Sequence, residues 1–434
     1  MNSVWMESVR PPDFPDLKGN LRTDVLIVGG GLAGVLCAYM LKNAGVDCAL
    51  VEAKRIGDGI TKDTTAKITL QHGLIYNQLI NRFGEEKSRL YLQAQQTAVG
   101  EYDRLCRNIS CDYQRQDSYV YSLFDRQKIE GEVAALNRLG LDAAFSQAES
   151  LPFPVAGAVQ VKQQAQFHPL KFLDEIAEGL PIYENTKVLE LKPNGALTGK
   201  GEITCEKIII ATHFPILNKH GGYFLKLYQH RSYVLALERA ELVDGMYVDE
   251  DKKGLSFRMH GQLLLLGGGS HRTGKQGGNW AELENFTHRQ YPAAKILSRW
   301  ATQDCMSLDG VPYIGQYAKA TPNLYVATGF NKWGMTSSMV SAMVLADLVQ
   351  GKDNAFAPVF SPSRSMLRPQ LAVNAVESLL GLITLTTPRC PHLGCALKYN
   401  RQEHSWDCPC HGSRFAETGE LINNPATDDK KNLP

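Results

Sequence analysis

No stretch of this 434-residue chain is apolar for long enough to cross a bilayer. The longest apolar runs, at 25–28 and 263–266, are strand-length, far short of the ~20 residues a transmembrane helix needs. A surplus of charge is missing too, since 46 Lys and Arg face 45 Asp and Glu, a net of +1. So even a balance gives no electrostatic footprint for nucleic acid or for an anionic membrane. Residues 1–21 hold Glu7, Asp13, Asp16 and three prolines without an apolar core segment, so they do not read as a secretory signal. The expected location is the cytoplasm. Internal repeats and low-complexity tracts are absent as well. With 44% hydrophobic residues over this length, what remains is a soluble globular chain of two or three domains.

Of ten cysteines, Cys37, Cys48, Cys106, Cys111, Cys205 and Cys305 are scattered and read as ordinary buried thiols. The other four lie between 390 and 410. In a reducing compartment such a cluster points to a metal site before a disulfide framework.

Residues 24–28 form a short β-branched apolar run, the pattern of a buried parallel strand. A glycine turn follows at 29–34, then a helix at 33–44 ended by Gly45, then a strand at 48–51 closing at Glu52. The spacing predicts helices at about 84–108, 169–179 and 335–350, and strands at 187–191, 207–211 and 324–327. Alternating segments near 231–239, 245–248 and 262–266 predict an antiparallel sheet. Prolines and mixed charge at 351–370 mark the best boundary in the chain.

Gly29-Gly30-Gly31-Leu32-Ala33-Gly34 matches GxGxxG. The motif is weak alone, but here it follows a buried strand, opens a helix and precedes an acidic residue at the end of the next strand. Gly29 permits the tight turn, Gly31 lets a pyrophosphate approach the backbone, and Gly34 lets helix and strand pack closely. The helix N-terminus offers unpaired N–H groups to the phosphates, and Glu52 can accept from ribose hydroxyls.

NAD and FAD share this fingerprint. Four further segments make residues 20–365 resemble the D-amino-acid-oxidase-like flavoproteins, which include glycine and sarcosine oxidases. They are 59–71 (GITKDTTAKITLQ), 167–170 (FHPL), 187–191 with 208–213 (IIIATH), and 309–315 (DGVPYIG) with 327–338 (ATGFNKWGMTSS). The family's usual Asn-Gly-Gly is absent from the first. The resemblance implies FAD rather than NAD. It implies cofactor contacts at Gly29, Gly31, Leu32, Ala33, Gly34, Glu52, Thr65, Val188, Ala211, Thr212, Gly329, Gly334, Met335 and Thr336. The last three would start a helix aimed at the pyrimidine end of the flavin, where its dipole stabilises negative charge.

Near the C-terminus, Cys390-Pro-His392-Leu-Gly-Cys395 and Cys408-Pro-Cys410-His411-Gly-Ser413 give C-x-H-x15-C-x-x-H. This pattern resembles Rieske proteins, with Cys390 and Cys408 on one iron of a [2Fe–2S] cluster and His392 and His411 on the other. The same ligand types would serve a structural Cys2His2 zinc site, which leaves Cys395, Cys410 and the Gly-Ser tail unexplained. Those two cysteines resemble the cytochrome-bc type, in which a disulfide joins them across the cluster loops. Phe415 stands where that family has tyrosine, which removes one hydrogen bond to the cluster and implies a lower potential.

The expected fold is α/β: a Rossmann-like FAD-binding domain with an inserted antiparallel-sheet substrate domain, plus a small all-β Rieske domain at the C-terminus. Residues 1–360 form the oxidoreductase, with FAD-binding parts at about 20–80, 160–215 and 305–355 and substrate-binding parts at about 81–159 and 216–304. Residues 361–369 form a linker, and 370–434 the Rieske domain. The expected activity is a dehydrogenase oxidising a small amine or amino-acid-like substrate and passing electrons singly to an external one-electron carrier. A donor-driven reductase or monooxygenase, or an amine oxidase using O2, stay open at this point. Candidate catalytic residues are Lys67, His72 and Arg272, with Tyr233, His271, Lys332 and Trp333 as further pocket candidates. An arginine would bind a substrate carboxylate bidentately.

Overall fold

A computed structural model describes residues 2–9, 12–217, 220–251, 254–384, 388–431 and 433. The apolar run Val25–Val28, buried at every position, is a central strand of a six-stranded sheet. It pairs in parallel with Cys48–Val51 on one side and Lys207–Ile210 on the other. Ile182–Tyr183 extends the sheet at one edge, and Leu324–Thr328 with antiparallel Tyr313–Gln316 extends it at the other. Strands this apolar need cover on both faces. Helices Leu32–Asn43 and Gly334–Val349 pack together against the sheet through Val35, Leu36, Met339 and Val340, all fully buried.

The helices expected from periodicity are present at Glu85–Cys106, Pro169–Ala177 and Gly334–Val349. The antiparallel layer is larger than its three alternating segments suggest. It holds nine strands and draws in Gln114–Ser122, Gly157–Gln166 and the 13-residue strand Lys295–Ser307. The last escapes a period-2 reading because its first half is exposed and its second half buried. Met246–Asp249 pairs antiparallel with Ser256–His260 but parallel with Gln114–Ser122, a crossover that alternation alone does not reveal.

The C-terminal segment forms a separate four-stranded antiparallel sheet from Lys398–Asn400, Ser405–Asp407, Arg414–Ala416 and Leu421–Asn423. A helix not anticipated from the sequence, Pro369–Ile383, precedes it. Proline at its first position suits a helix start. Its buried positions, Asn374 and Gly381, carry no apolar side chain, and Val373, Val376, Leu379, Leu380, Leu382 and Ile383 are exposed. Among the described residues no helix is long and apolar enough to cross a membrane.

Candidate functional site

The glycine turn is built as its spacing requires. Gly29 has φ +112°, and a β-carbon there would lie 2.6 Å from the Ala211 carbonyl oxygen. A β-carbon on Gly34 would lie 1.9 Å from the Gly29 oxygen, so helix and turn meet with no side chain between them. At Gly31 the same construction meets only Thr61 Oγ1, at 3.6 Å, and leaves room for a phosphate. The Leu32 N–H donates to Thr61 Oγ1 at 3.1 Å. Glu52 is clamped by the N–H groups of Gly30 (2.7 Å) and Lys54 (2.9 Å). Burial raises the pKa of its carboxyl, and these backbone donors oppose that shift.

A cavity of about 1140 Å³ opens from this turn. Drug-sized pockets hold about 300–1,000 Å³, so there is room here for a dinucleotide and part of a substrate. Gly29, Gly31, Leu32, Ala33, Glu52, Thr65, Val188, Ala211, Thr212, Gly334 and Met335 line it. Gly34, Gly329 and Thr336 stand behind the wall. Gly329 takes φ +73° against Leu227 and Ser307, and Thr336 hydrogen-bonds Thr69. A backbone cradle, a capping carboxylate and this volume fit FAD.

The three residues expected to be catalytic have different fates. Lys67 lines the cavity and donates to Thr65 Oγ1 at 3.1 Å. Burial, helped by the Arg258 charge, lowers its ammonium pKa to about 7. His72 also reaches the wall, but both its nitrogens are engaged. Nδ1 meets the Tyr91 hydroxyl at 2.6 Å, and Nε2 meets the Thr69 carbonyl at 3.1 Å and Thr336 Oγ1 at 3.0 Å. The Thr69 carbonyl requires the proton on Nε2, so Nδ1 accepts from Tyr91. Burial holds the ring neutral, with its pKa near 3, and it stacks on Trp333 at 5.2 Å.

Arg272, expected to be catalytic, stands elsewhere. It does not line the cavity, because its guanidinium donates to the carbonyls of Pro409 (3.1 Å) and Cys410 (3.0 Å) and to Asn374 Oδ1 (3.0 Å). It anchors the second cysteine–histidine loop. Tyr233, Lys332 and Trp333 line the cavity, and His271 stacks behind Tyr233 at 5.7 Å.

The two C-terminal loops face each other. The buried thiols of Cys390 and Cys408 lie close enough to shift each other's ionisation, and the His392 and His411 rings lie 5.0 Å apart at 85°. Neither ring nitrogen of buried His411 has a hydrogen-bond partner of normal geometry, although the ring adjoins the Phe224 backbone. Burial, with Arg272 nearby, keeps that ring neutral, its pKa lowered to about 4. Two adjacent thiols and two neutral imidazoles, one with orphaned nitrogens, fit the donor set of a Rieske cluster. The sulfurs of Cys395, Cys408 and Cys410 lie within 4.8 Å of one another. Cys395 and Cys410 are free thiols in this structure.

Several docking residues carry no sequence signal. Gln229 and Gln303 lie on neighbouring strands of the large sheet. Gln229 donates to the His411 carbonyl (3.0 Å), and Gln303 donates to the Gly412 carbonyl (2.8 Å). Asn424 reaches back to the Phe214 carbonyl at 2.9 Å. The Phe214 ring meets His392 and His411 edge-on at 6.3 and 6.4 Å. Arg231 and Glu403 form a buried two-pronged ion pair, and Tyr233 donates to Glu403 at 2.8 Å. Arg414 adds contacts to Glu403 and Asp407, each at 2.9 Å. Burial alone would raise the Glu403 pKa, but Arg231 and Arg414 pull it down to about 2. Arg231 and Glu403 are 172 positions apart, and neither lies in a motif.

Comparison with known proteins agrees with this geometry. Residues 24–348 match the FAD dependent oxidoreductases, and residues 363–434 match the Rieske [2Fe-2S] domain. The chain is 34% identical to YhfW of Bacillus subtilis (strain 168), whose name describes a Rieske 2Fe-2S iron-sulfur protein, across 99% of this chain and 97% of that one. It is 25% identical to gamma-glutamylputrescine oxidoreductase of Escherichia coli (strain K12), over 79% of this chain and 87% of that one. Glycine oxidase from Geobacillus kaustophilus shares the fold with a TM-score of 0.67 at 19% identity, covering 80% of this chain and all of that one.

Proposed function

The chain belongs to the FAD dependent oxidoreductases and carries a Rieske [2Fe-2S] domain, and from that premise we propose an amine dehydrogenase with a built-in electron exit. The substrate is a small amine, imino acid or N-methylated compound, oxidised by two electrons at a C–N bond. The electrons leave singly through the cluster to an external one-electron carrier. The observation that carries the coupling of cavity to cluster is the shared strand Lys295–Ser307; the direction follows from pairing a two-electron with a one-electron carrier. Its Gln303 holds the cluster loop at Gly412, while its next residues, Asp304 and Cys305, line the cavity.

FAD, when bound, supplies the two-electron acceptor, and the chain's residues supply the rest. Lys67, poised near neutrality, accepts the proton that a substrate ammonium must lose before its C–N bond is oxidised. His72 is a positioning residue, fixed by Tyr91, Thr69 and Thr336 and bracing Trp333. Cys390, His392, Cys408 and His411 hold the cluster, and a disulfide between Cys395 and Cys410 pins its loops. Intact mass under non-reducing conditions checks that bond, which makes the chain two hydrogens lighter. In this reading residues 1–360 hold flavin and substrate, 361–369 are the joint, and 370–434 carry the cluster.

An anaerobic titration with amines and N-methyl amino acids, followed by visible and EPR spectra, tests the proposal. Bleaching of the flavin followed by the Rieske signal supports it. If dithionite reduces the cluster but no amine bleaches the flavin, the amine reading fails and a donor-driven direction replaces it.

A further inference from the structure

The charges around the buried Arg231–Glu403 pair do not cancel. Arg231 and Arg414 face four carboxylates, Glu403, Asp407, Asp63 and Asp304, the last shared with Lys332 and the Ser232 hydroxyl. Glu403 takes both guanidinium groups, and Asp407 takes a second contact from Arg414. Asp63 is left over. It ends the short helix Ile60–Asp63 and lines the cavity, and its carboxylate has no hydrogen bond or ion pair among the described residues. The neighbouring cation, Lys62, is spent on Asp58 at 2.6 Å. Burial pushes the Asp63 carboxyl up to about 7, against the pull of Lys62 and Arg231.

An aromatic wall stands beside it. The Trp300 indole donates to the Asp63 carbonyl at 2.9 Å, and the Trp280 indole donates to the Trp300 carbonyl at 3.1 Å. Tyr233 packs edge-on against Trp280 at 4.8 Å and stacks on His271, Arg299 lies over one face of Trp280, and Tyr233, Trp280 and Trp300 all border the cavity. A carboxylate among aromatic faces recognises an ammonium by charge and by cation–π attraction. An α-carboxylate is best matched by an arginine fork. The two arginines buried in this wall, Arg231 and Arg414, are already committed to carboxylates of the C-terminal segment.

Building on the amine-oxidation reading, we propose that the cavity takes an aliphatic diamine or polyamine without an α-carboxylate, the ammonium that is not oxidised being held by Asp63 beside Tyr233, Trp280 and Trp300. The C-terminal domain thereby helps set substrate class, because Glu403 removes Arg231 from the site.

Anaerobic flavin bleaching by the holoprotein compares putrescine, N-methylputrescine and spermidine with glycine, sarcosine, L-proline and D-alanine. Bleaching by the first group and not the second is the expected result. Bleaching by the amino acids alone overturns the inference and leaves amine oxidation standing. Bleaching by neither sinks both. Asp63→Asn is expected to raise KM by about tenfold or more with kcat nearly kept, and Asp63→Glu to recover part of the loss. The flavin spectral shift caused by tetramethylammonium, a cation that cannot be oxidised at the site, should weaken in parallel in Asp63→Asn. An unchanged KM and an unchanged shift would remove Asp63 from recognition.

Discussion

The two cofactor cradles of this chain are made from opposite materials. The flavin cradle is backbone: glycines whose missing side chains make space, helix N–H groups, and Glu52, which is itself held by backbone donors. The cluster cradle is side chain: two sulfurs and two imidazoles on facing loops, steadied by carbonyl contacts from Arg272, Gln229 and Gln303. The first opens into a large cavity that must admit a substrate. The second is mostly enclosed, with Cys390, Cys408 and His411 each at most 2% exposed and His392 half-buried. A cradle made of absence fails when something is added, whereas a cradle made of ligands fails when something is removed.

Paired substitutions break the comparison most sharply. Gly34→Ala puts a carbon 1.9 Å from a backbone oxygen that cannot swing away, so the purified protein should lose nearly all its flavin absorbance. The Rieske EPR signal of whatever protein folds should survive. Cys408→Ser should do the reverse, abolishing the EPR signal while leaving most of the flavin. If either change removes both cofactors from folded protein, the cradles are not independent.

Glu403→Gln comes next, because it attacks the joint between them. Breaking one side of a buried ion pair costs about 3–5 kcal/mol. Here the loss should show as faster proteolysis near the joint and slower cluster reduction by reduced flavin, with both cofactors retained. The surface pairs Lys54–Glu420 and Lys187–Asp428 span the same halves in solvent, and removing either should cost about 0–1 kcal/mol. The Glu403 pKa is depressed in the fold, so its stabilising contribution is complete above its usual value of 4.5 and fades as pH falls toward about 2. Acid should therefore loosen the joint of the native protein more than that of Glu403→Gln.

Lys67 acts on the chemical step alone, with no effect expected on either cradle. A group that must be neutral to accept a proton is inactive below its pKa, so flavin reduction should rise with pH through about 7. Lys67→Met should flatten that limb and lower the rate about a hundredfold.

What can be read from the sequence follows the same division. The proposed cluster ligands stand out in the sequence because two cysteines and two histidines at this spacing serve little besides a metal centre. The glycine turn is legible only through its neighbours, the strand before it and Glu52 after it. Arg272 misleads for a physical reason. An arginine at the end of a sheet strand serves equally a substrate carboxylate or the carbonyls of a loop more than a hundred residues away, and only the fold says which. Arg231, Glu403, Gln229 and Gln303 lie in no motif, since the relation between them is made by docking two domains, and Asp63 lies in a quoted segment whose pattern does not single it out. Helix Pro369–Ile383 escapes notice because its proline-flanked start and its lack of a buried apolar side resemble a linker more than an element that packs.

Electron transfer between the two cradles is tested most directly by photoreducing the flavin in the anaerobic holoprotein, with freeze-quench EPR following the cluster. The Rieske signal, with its average g below that of a free electron, is predicted to grow as the flavin reoxidises within the same molecule. Its rate should be independent of protein concentration and slower in Glu403→Gln. A cluster that stays oxidised beside fully reduced flavin, or that is reduced only between molecules, would contradict a built-in electron exit.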